Sequence, residues 1–480
     1  MISAIKIKRN IFYLIMGMIF ITIPLSSCKK LVEVNSPTTS INGKNVYTND
    51  ETAVAVLTGI YSQISAASMT GLDLISIGLV AGLSADELVL YSGSNNATLK
   101  TYYLNNLAAP NPFNIWSNIY SKIYIVNLAI EGITNSILLN PSVKQQLLGE
   151  AKFLRAFFFF YLVNLYGDVP LAITSDYKVN SVLARSSQEK VWTQIIADLT
   201  EAKTLLSPDY LDASLLKKTP ERIRPTKWAA IALLSKSYLY IGDWKNAEIE
   251  SSELIDNTSL YHLEDSLNSV FLMNNEEAIW QLQPVTYGMN TLDAKIYIIP
   301  STGPSAYTPV YLNDHLLQSF ESGDLRRTKW VNSVAVDDTT YYYFPFKYQS
   351  ATYGAPVTEY HTIFRLAEQY LIRAESRAHL NDVANATNDL NIIRKRAGLE
   401  EHKYSTNSAL LTAIVHERQV ELFTEWGNRW LDLKRTKTID TIMGAVTPQK
   451  GGIWSSNWQL YPIPSTEVIG DGNIRQNPGY

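Results

Sequence analysis

The sequence contains one cysteine, Cys28, so no internal disulfide can form. Histidine is rare, with six in 480 residues. No HExxH, CxxC, Walker or Gly-x-Ser-x-Gly pattern occurs, which removes the usual motifs for a zinc site, a phosphate cradle or a serine hydrolase. "HERQVE" begins with His416-Glu417, but no second histidine follows at helical spacing, and no motif calls for a cofactor. Positive charge is also limited: 41 Lys and Arg against 45 Asp and Glu give a net charge of -4. No basic run interrupts the body, so a broad nucleic-acid footprint is excluded. Beyond the N-terminus the apolar runs are broken by charges, as Lys236 breaks "AAIALLSKSYLYIG".

What is present is apolar mass. Hydrophobic residues make up 46% and charged ones 18%, the balance of a chain with a large core. The length suggests two or three units. Lys6, Lys8 and Arg9 form a positive n-region, and "IFYLIMGMIFITIPL" (11–25) is an uncharged h-region, short for a spanning helix. Leu25-Ser26-Ser27-Cys28 follows and looks like a bacterial lipobox, with cleavage before Cys28 and acylation of its thiol. A single N-terminal membrane anchor is the alternative. Loss of Lys6, Lys8 and Arg9 with the leader takes the formal charge from -4 to -7. Two or three acyl chains would hold the protein firmly, where one alone is marginal. The polar stretch "KKLVEVNSPTTSING" then reads as a tether.

Helical periodicity dominates the body. "ETAVAVLTGIYSQISAA" begins after the cap-like Thr48-Asn49-Asp50. Trp116, Tyr120, Ile123 and Asn127 recur at steps of three and four, so they share a helix face. A long helix is predicted from Pro141 to near Gly167, with Pro170 just beyond. It contains "FFFFY", residues 157–161. Five consecutive aromatics point all round a helix axis, so the run suits a buried scaffold helix and not a one-sided ligand platform. Two segments share the tetratricopeptide pattern. Leu234, Ser235, Tyr238, Gly242, Asp243, Trp244 and Ala247 fit its helix-turn-helix spacing. Ala374, Asn381, Asp382 and Ala386 fall at matching offsets.

From about Leu263 to His361 the character changes to Tyr, Pro, Gly, Asn and Thr. "EEAIWQLQP" and "TTYYYFPFKYQ" read as short strands and "STGPSAYTPVY" as loop. Together these features define a mainly α fold: tetratricopeptide-like helix pairs packed against an irregular loop-rich lobe with a few short strands. Tyrosine occurs 29 times and tryptophan 10, and both suit wet interfaces and sugar rings. Tyr287, Tyr297, Tyr307 and Tyr311 lie in the lobe beside Gly, Pro or polar residues and are candidate ligand contacts. "ERQVELFTEWGNRWLDLKR" mixes charge and apolar mass, with Arg418 spaced to meet Glu421 or Glu425. It reads as a semi-buried ion network, with an ionic binding site as the alternative. The adjacent carboxylates Asp86-Glu87 keep a surface glycosidase as a third possibility.

Several segments in order resemble the SusD/RagB family of Bacteroidetes nutrient-binding outer-membrane lipoproteins. They are the lipobox, "EAKFLRAFFFFYLVNLYGDVPL", "RPTKWAAIALLSKSYLYIGDWKNA", "RLAEQYLIRAESRAHL" with "LNIIRKRAGL", "ERQVELFTEWGNRWLDLKR" and "LYPIPSTEVIGDGNIRQNPGY". The resemblance implies a signal peptide at 1–27 and a lipidated tether at 28–45. It implies a SusD-like helical region at 46–262 and a RagB/SusD region with the loop-rich lobe and last helices at 263–480. It further implies a non-enzymatic surface protein that passes oligosaccharides, or in some members peptides, to a SusC-like TonB-dependent transporter. Sugar sites in the family use a loop after an Asp-Glu pair. Here that loop is "SADELVLYSGSNNATLK", offering Asp86, Tyr91, Asn95 and Asn96, with Tyr91 where family sugar binders often carry a tryptophan. For the lipobox, Cys28→Ala is expected to abolish fatty-acid incorporation in metabolic labelling; acyl label on that variant would overturn the assignment.

Overall fold

The long periodic segments become an array in which each helix packs on the next. A computed structural model of the chain describes residues 46–66, 73–107, 115–470 and 472–480; the leader, Cys28 and the whole tether lie outside them. Helix α1 (Asp50–Ser65) starts where the Asn49 side chain accepts the Thr52 N–H at 3.2 Å. Next come α2 (Ile77–Ser84), strand β1 (Leu88–Leu90), α3 (Ala97–Tyr103) and α4 (Ile115–Asn135). Then follow α5 (Pro141–Tyr166), α6 (Gln188–Leu205), α7 (Lys227–Ile241) and α8 (Trp244–Ile255). Helix α5 begins with Pro141 in its first turn, where a missing N–H costs nothing, and ends at Gly167 with φ 75°, as its sequence predicts. Among the described residues no helix is long and apolar enough to cross a membrane.

The lobe follows with β2 (Ala278–Leu282), β3 (Val310–Leu312), β4 (Val331–Ala335), β5 (Tyr341–Pro345) and β6 (His361–Arg365). Its sheets are two-stranded and antiparallel: β1 with β3, β2 with β6, β4 with β5. The expected loop "STGPSAYTPVY" therefore ends in a strand. Helices α9 (Leu366–His379), α10 (Val383–Arg396), α11 (Asn407–Glu421) and α12 (Asn428–Arg435) follow the lobe, with the helices Ile439–Gln449 and Ser465–Gly470 after them. Helices α4 to α8 pack successively, and α8 packs directly on α9 although the whole lobe separates them in sequence. The lobe is thus an insertion into one helical array.

The two tetratricopeptide-like turns sit at that junction. Gly242 and Asn381 both adopt positive φ, 76° and 66°, and end their helices. Asp243 and Asp382 cap the next ones by accepting the N–H of Asn246 and Asn385. The small residues Ser235, Ala247, Ala374 and Ala386 are fully buried, so the helix axes approach closely. Trp244 of one turn stacks on His379 of the other with ring centroids 3.8 Å apart.

Phe157, Phe158, Phe159 and Phe160 are all fully buried and Tyr161 nearly so. The rings contact opposite sides of α5. Phe157 meets Trp280 of β2 at 5.4 Å and Trp426 at 5.9 Å, while Phe160 meets Trp192 of α6 at 5.6 Å and Tyr240 of α7 at 5.1 Å. The run therefore joins lobe to array, and burial on every side is what a helix between two layers requires.

The "ERQVELFTEWGNRWLDLKR" segment forms a buried ion network. Arg365 at the end of β6 pairs with Glu277 at 3.0 Å, Glu421 at 2.6 Å and Glu425 at 2.8 Å. Arg326 pairs with Asp324, Glu417 and Glu421, Arg396 with Glu277 and Glu421, and Lys347 with Glu425. Burial alone would raise the Glu421 pKa, but the guanidiniums of Arg396, Arg365 and Arg326 outweigh it and hold the carboxyl far below its usual range. Arg418 departs from expectation: it pairs with Asp432 at 2.7 Å, not with Glu421 or Glu425. Helix α11 stops at Glu421, and the positive φ of Thr424, Trp426 and Gly427 reverses the chain. Glu425 thereby leaves the helix face of Arg418, and α12 returns Asp432 to it.

Phe158→Ala should destabilise the fold by about 3–5 kcal/mol, because a fully buried ring leaves a cavity behind. Equilibrium urea unfolding monitored by circular dichroism measures this; a loss below about 1 kcal/mol would show that α5 is not wedged as described.

Candidate functional site

The loop after α2, the candidate site, is pinned at both ends. Gly78 lies where an added Cβ would fall 2.4 Å from the Thr424 carbonyl oxygen, so α2 and the 424–427 turn touch backbone to backbone. Just beyond α2, Asp86 receives two hydrogen bonds from Arg429, at 2.8 and 2.6 Å. Glu87 accepts the Thr424 N–H at 3.2 Å, and its own carbonyl accepts the Asn313 N–H at 2.8 Å. Both carboxylates are buried. Burial pushes the Asp86 pKa up, but hydrogen bonding and charge from Arg429 more than reverse this. Glu87 has no such partner; burial, then the charge of Asp86, pushes its pKa up to about 8. Asp86 is therefore a fastening of the loop and not a ligand contact. The Asp86-Glu87 pair points inward, and a sugar bond cannot lie between the two carboxyls.

Strand β1 then pairs with β3 in the register Val89↔Tyr311, and the Tyr91 N–H donates to the Pro309 carbonyl at 2.7 Å. A turn follows, with the Ser94 N–H donating to Tyr91 O at 2.9 Å. A side chain at Gly93 would strike the Tyr91 ring at 2.6 Å, so glycine lets that ring fold over the turn. The result is an aromatic corner. Tyr342 of β5 meets Tyr311 edge-on at 5.1 Å and Tyr91 at 6.3 Å. Tyr91 and Tyr311 are half-buried, each with part of its surface facing out. Beyond Tyr311 opens a cavity of about 390 Å³ lined by Tyr103, Asp314, His315, Gln318, Gln449 and Lys450. His315 Nε2 lies 3.0 Å from Gln449 Oε1. Aromatic edges beside planar amides and charged groups can stack on sugar C–H faces and bond their hydroxyls.

The remaining predicted residues divide. Asn95 is exposed next to the corner, while Asn96 spends its side chain capping α3 by accepting the Leu99 N–H at 3.0 Å. Tyr287 is 87% exposed and meets the exposed Tyr353 edge-on at 6.3 Å, beside a cavity of about 280 Å³ that includes Asn290, Lys295 and Ser350. Tyr307 is exposed on a separate turn closed by Ser305 and Thr308. Tyr297 is corrected: it is 3% exposed, because the short helix Leu292–Tyr297 turns Leu292, Ala294, Ile296 and Tyr297 inward together. Tyr342 and Tyr353 were missed. The run "YYYF" was legible as a strand, whose alternation separates Tyr342 from Tyr341 and Tyr343. Which face would meet Tyr311 was not. Among the described residues no three His, Cys, Asp or Glu side chains gather into a metal site.

The fold is a helical-repeat scaffold that carries a loop-built aromatic corner. Residues 83–239 match a family model described as SusD-like, starch-binding associating with outer membrane, and residues 321–480 match the model of the SusD family. SusD-like protein P2 of Formosa agariphila is 24% identical, over 96% of this chain and 98% of its own length. A SusD superfamily structure from Bacteroides vulgatus superposes with a TM-score of 0.78 at 21% identity, covering 90% of this chain and 99% of that one. A laminarin binding SusD-like protein superposes with a TM-score of 0.73 at 24% identity, covering 90% of this chain and all of that one. The chain belongs to the SusD/RagB family.

Glu87 supplies a pH test. Its raised pKa means that between the ordinary carboxyl range and about 8 the folded chain holds a proton that the unfolded chain has lost. Stability must therefore fall as pH rises through that window. Glu87→Gln should be more stable than the parent at pH 8, with the difference shrinking toward pH 4; a pH-independent difference in urea midpoint would contradict this.

Proposed function

We propose that this protein is a surface lipoprotein that binds glycans at the Tyr91–Tyr311–Tyr342 corner and delivers them to a SusC-like TonB-dependent transporter of the outer membrane. The carrying observation is the corner itself: rings from the N-terminal loop and from two strands of the lobe converge beside a polar cavity. A starch-binding family model over the first part of the chain and a laminarin-binding structural neighbour support oligosaccharides as the ligand class. The lipobox at Cys28 supports attachment to the membrane, with the tether 28–45 holding the folded part away from it. Exposed Tyr287, Tyr353 and Tyr307 would extend contact to longer chains, since each offers an apolar face with a polar tip.

No step of this proposal breaks a bond. The scaffold presents rings already held by strand pairing, so little conformational freedom is lost on binding. Isothermal titration with laminarin- and starch-derived oligosaccharides should show saturable binding. Truncating Tyr91, Tyr311 or Tyr342 to alanine should each cost about 0.5–1.5 kcal/mol beyond area, whereas the buried Tyr297→Phe should change little. Binding of peptides in place of glycans would replace the ligand class while leaving the corner as the site. Unchanged binding in all three alanine variants would place the site elsewhere.

A further inference from the structure

The cavity beside the aromatic corner carries an imbalance of charge that ring stacking does not use. Near neutral pH, only Asp314, His315 and Lys450 of its described lining residues can be charged. Lys450 is buried, and its ammonium donates to the carbonyls of Leu83, at 2.7 Å, and of Ser84 and Ala85. An ammonium has three donors, so none is left to meet a ligand. His315 Nε2 donates to Gln449 Oε1 at 3.0 Å.

Asp314 is free. It is exposed, and among the described residues its carboxylate accepts no hydrogen bond and joins no ion pair. It stands three residues beyond Tyr311, on the first turn of the short helix Asp314–Ser319. The backbone there is held, because the Asn313 N–H donates to the Glu87 carbonyl at 2.8 Å and Asn313 Oδ1 accepts the His315 N–H at 2.9 Å. Gln318, also exposed, follows four residues on, along the same side of the helix, and lines the same cavity. The Asp314 charge reaches the Tyr311 hydroxyl. Burial first, then Tyr103, Tyr342 and Asp314, push the Tyr311 pKa up to about 12.

These groups sort ligands by charge. An ionised carboxylate only accepts hydrogen bonds, and sugar hydroxyls donate them. A neutral sugar against Tyr311 therefore meets a free acceptor in Asp314 and an adaptable amide in Gln318. A sugar bearing its own carboxylate or sulfate would meet like charge, with the one lysine of the cavity already spent. Rejection of a competitor by an unpaired like charge is an ordinary source of specificity.

We infer that Asp314 sets the charge specificity of the corner: the unit bound beside Tyr311 is a neutral sugar whose hydroxyls the carboxylate accepts, and uronate or sulfated units are turned away. The inference rests on the corner being the glycan site.

Isothermal titration of the intact chain with laminarihexaose and with its C6-oxidised form, which keeps the linkage and adds uronate carboxylates, tests it. At low salt the neutral sugar should bind at least about tenfold more tightly, the order expected for like charges several ångströms apart near a wet surface. At high salt the gap should shrink to about threefold, because exposed charges are screened. Asp314→Asn should bring the two sugars within about threefold of each other, chiefly by tightening the acidic one, and Asp314→Lys should reverse their order. Glu189→Gln removes the same charge from an exposed position on α6 and should leave the gap as it was. Equal or tighter binding of the acidic sugar by the parent, a gap that Asp314→Asn leaves intact, or a gap that Glu189→Gln closes equally would overturn the role of Asp314 while leaving the corner as the glycan site. Binding of neither sugar, or neutral binding that Tyr311→Ala leaves unchanged, would overturn both readings.

Discussion

Glu421 is the constraint on which the rest of the molecule depends. Its carboxylate is fully buried and meets the guanidiniums of Arg326, Arg365 and Arg396. Two of these come from the inserted lobe and one from α10, so a single carboxylate ties the lobe to the helical array. Taking so many charges out of water costs several kcal/mol for each ion, and only near-complete mutual pairing offsets that cost. Phe271, Trp330 and Phe423 cover the cations and keep water away, with the Lys347 ammonium 3.9 Å from the Phe423 ring centroid. Such a network adds little net stability over an apolar core, but removing any one member would strand a buried charge. Its contribution is to specify one position of the lobe.

That specification reaches the aromatic corner through a short chain of contacts. The turn that follows Glu421 supplies Thr424, whose N–H Glu87 accepts, and leads into α12, whose Arg429 holds Asp86. Asp86 and Glu87 precede β1, and β1 pairs with β3, which carries Tyr311. The aromatic corner is thus assembled from the N-terminal and central parts of the chain, while its position is set by residues near the C-terminus. A binding surface built from loops needs such a rigid foundation if its rings are to be oriented before the ligand arrives.

The legibility of the sequence follows the range of the forces involved. The α5 boundaries, the paired Gly242-Asp243 and Asn381-Asp382 turns and the buried "FFFFY" run were all readable, because caps, turns and amphipathic periods act within a few residues. The ion network was recognisable as semi-buried, but the partners of Arg418 were misassigned: α11 ends at Glu421, which carries Glu425 off the helical face, and Glu421 itself is taken by Arg326, Arg365 and Arg396. The proposed site was half readable. Tyr91 and Tyr311 were named from their loops, yet Tyr297 shared the same flanking composition and lies in the core. Tyr342, which joins Tyr91 to Tyr311, carried no distinguishing mark within "YYYF".

The sequence by itself determined that this chain is a mainly helical repeat scaffold with an inserted, tyrosine-rich lobe, and it carried enough ordered motifs to resemble the SusD/RagB family. These are consequences of local periodicity and capping, which the chain carries wherever it goes. Only the tertiary structure decided which tyrosines face solvent, which carboxylates are locked in ion pairs, and which distant segments enclose the cavities. Those outcomes depend on which strand faces meet and on which charges are buried together, and the free energy of each contact is defined only once both partners are in place.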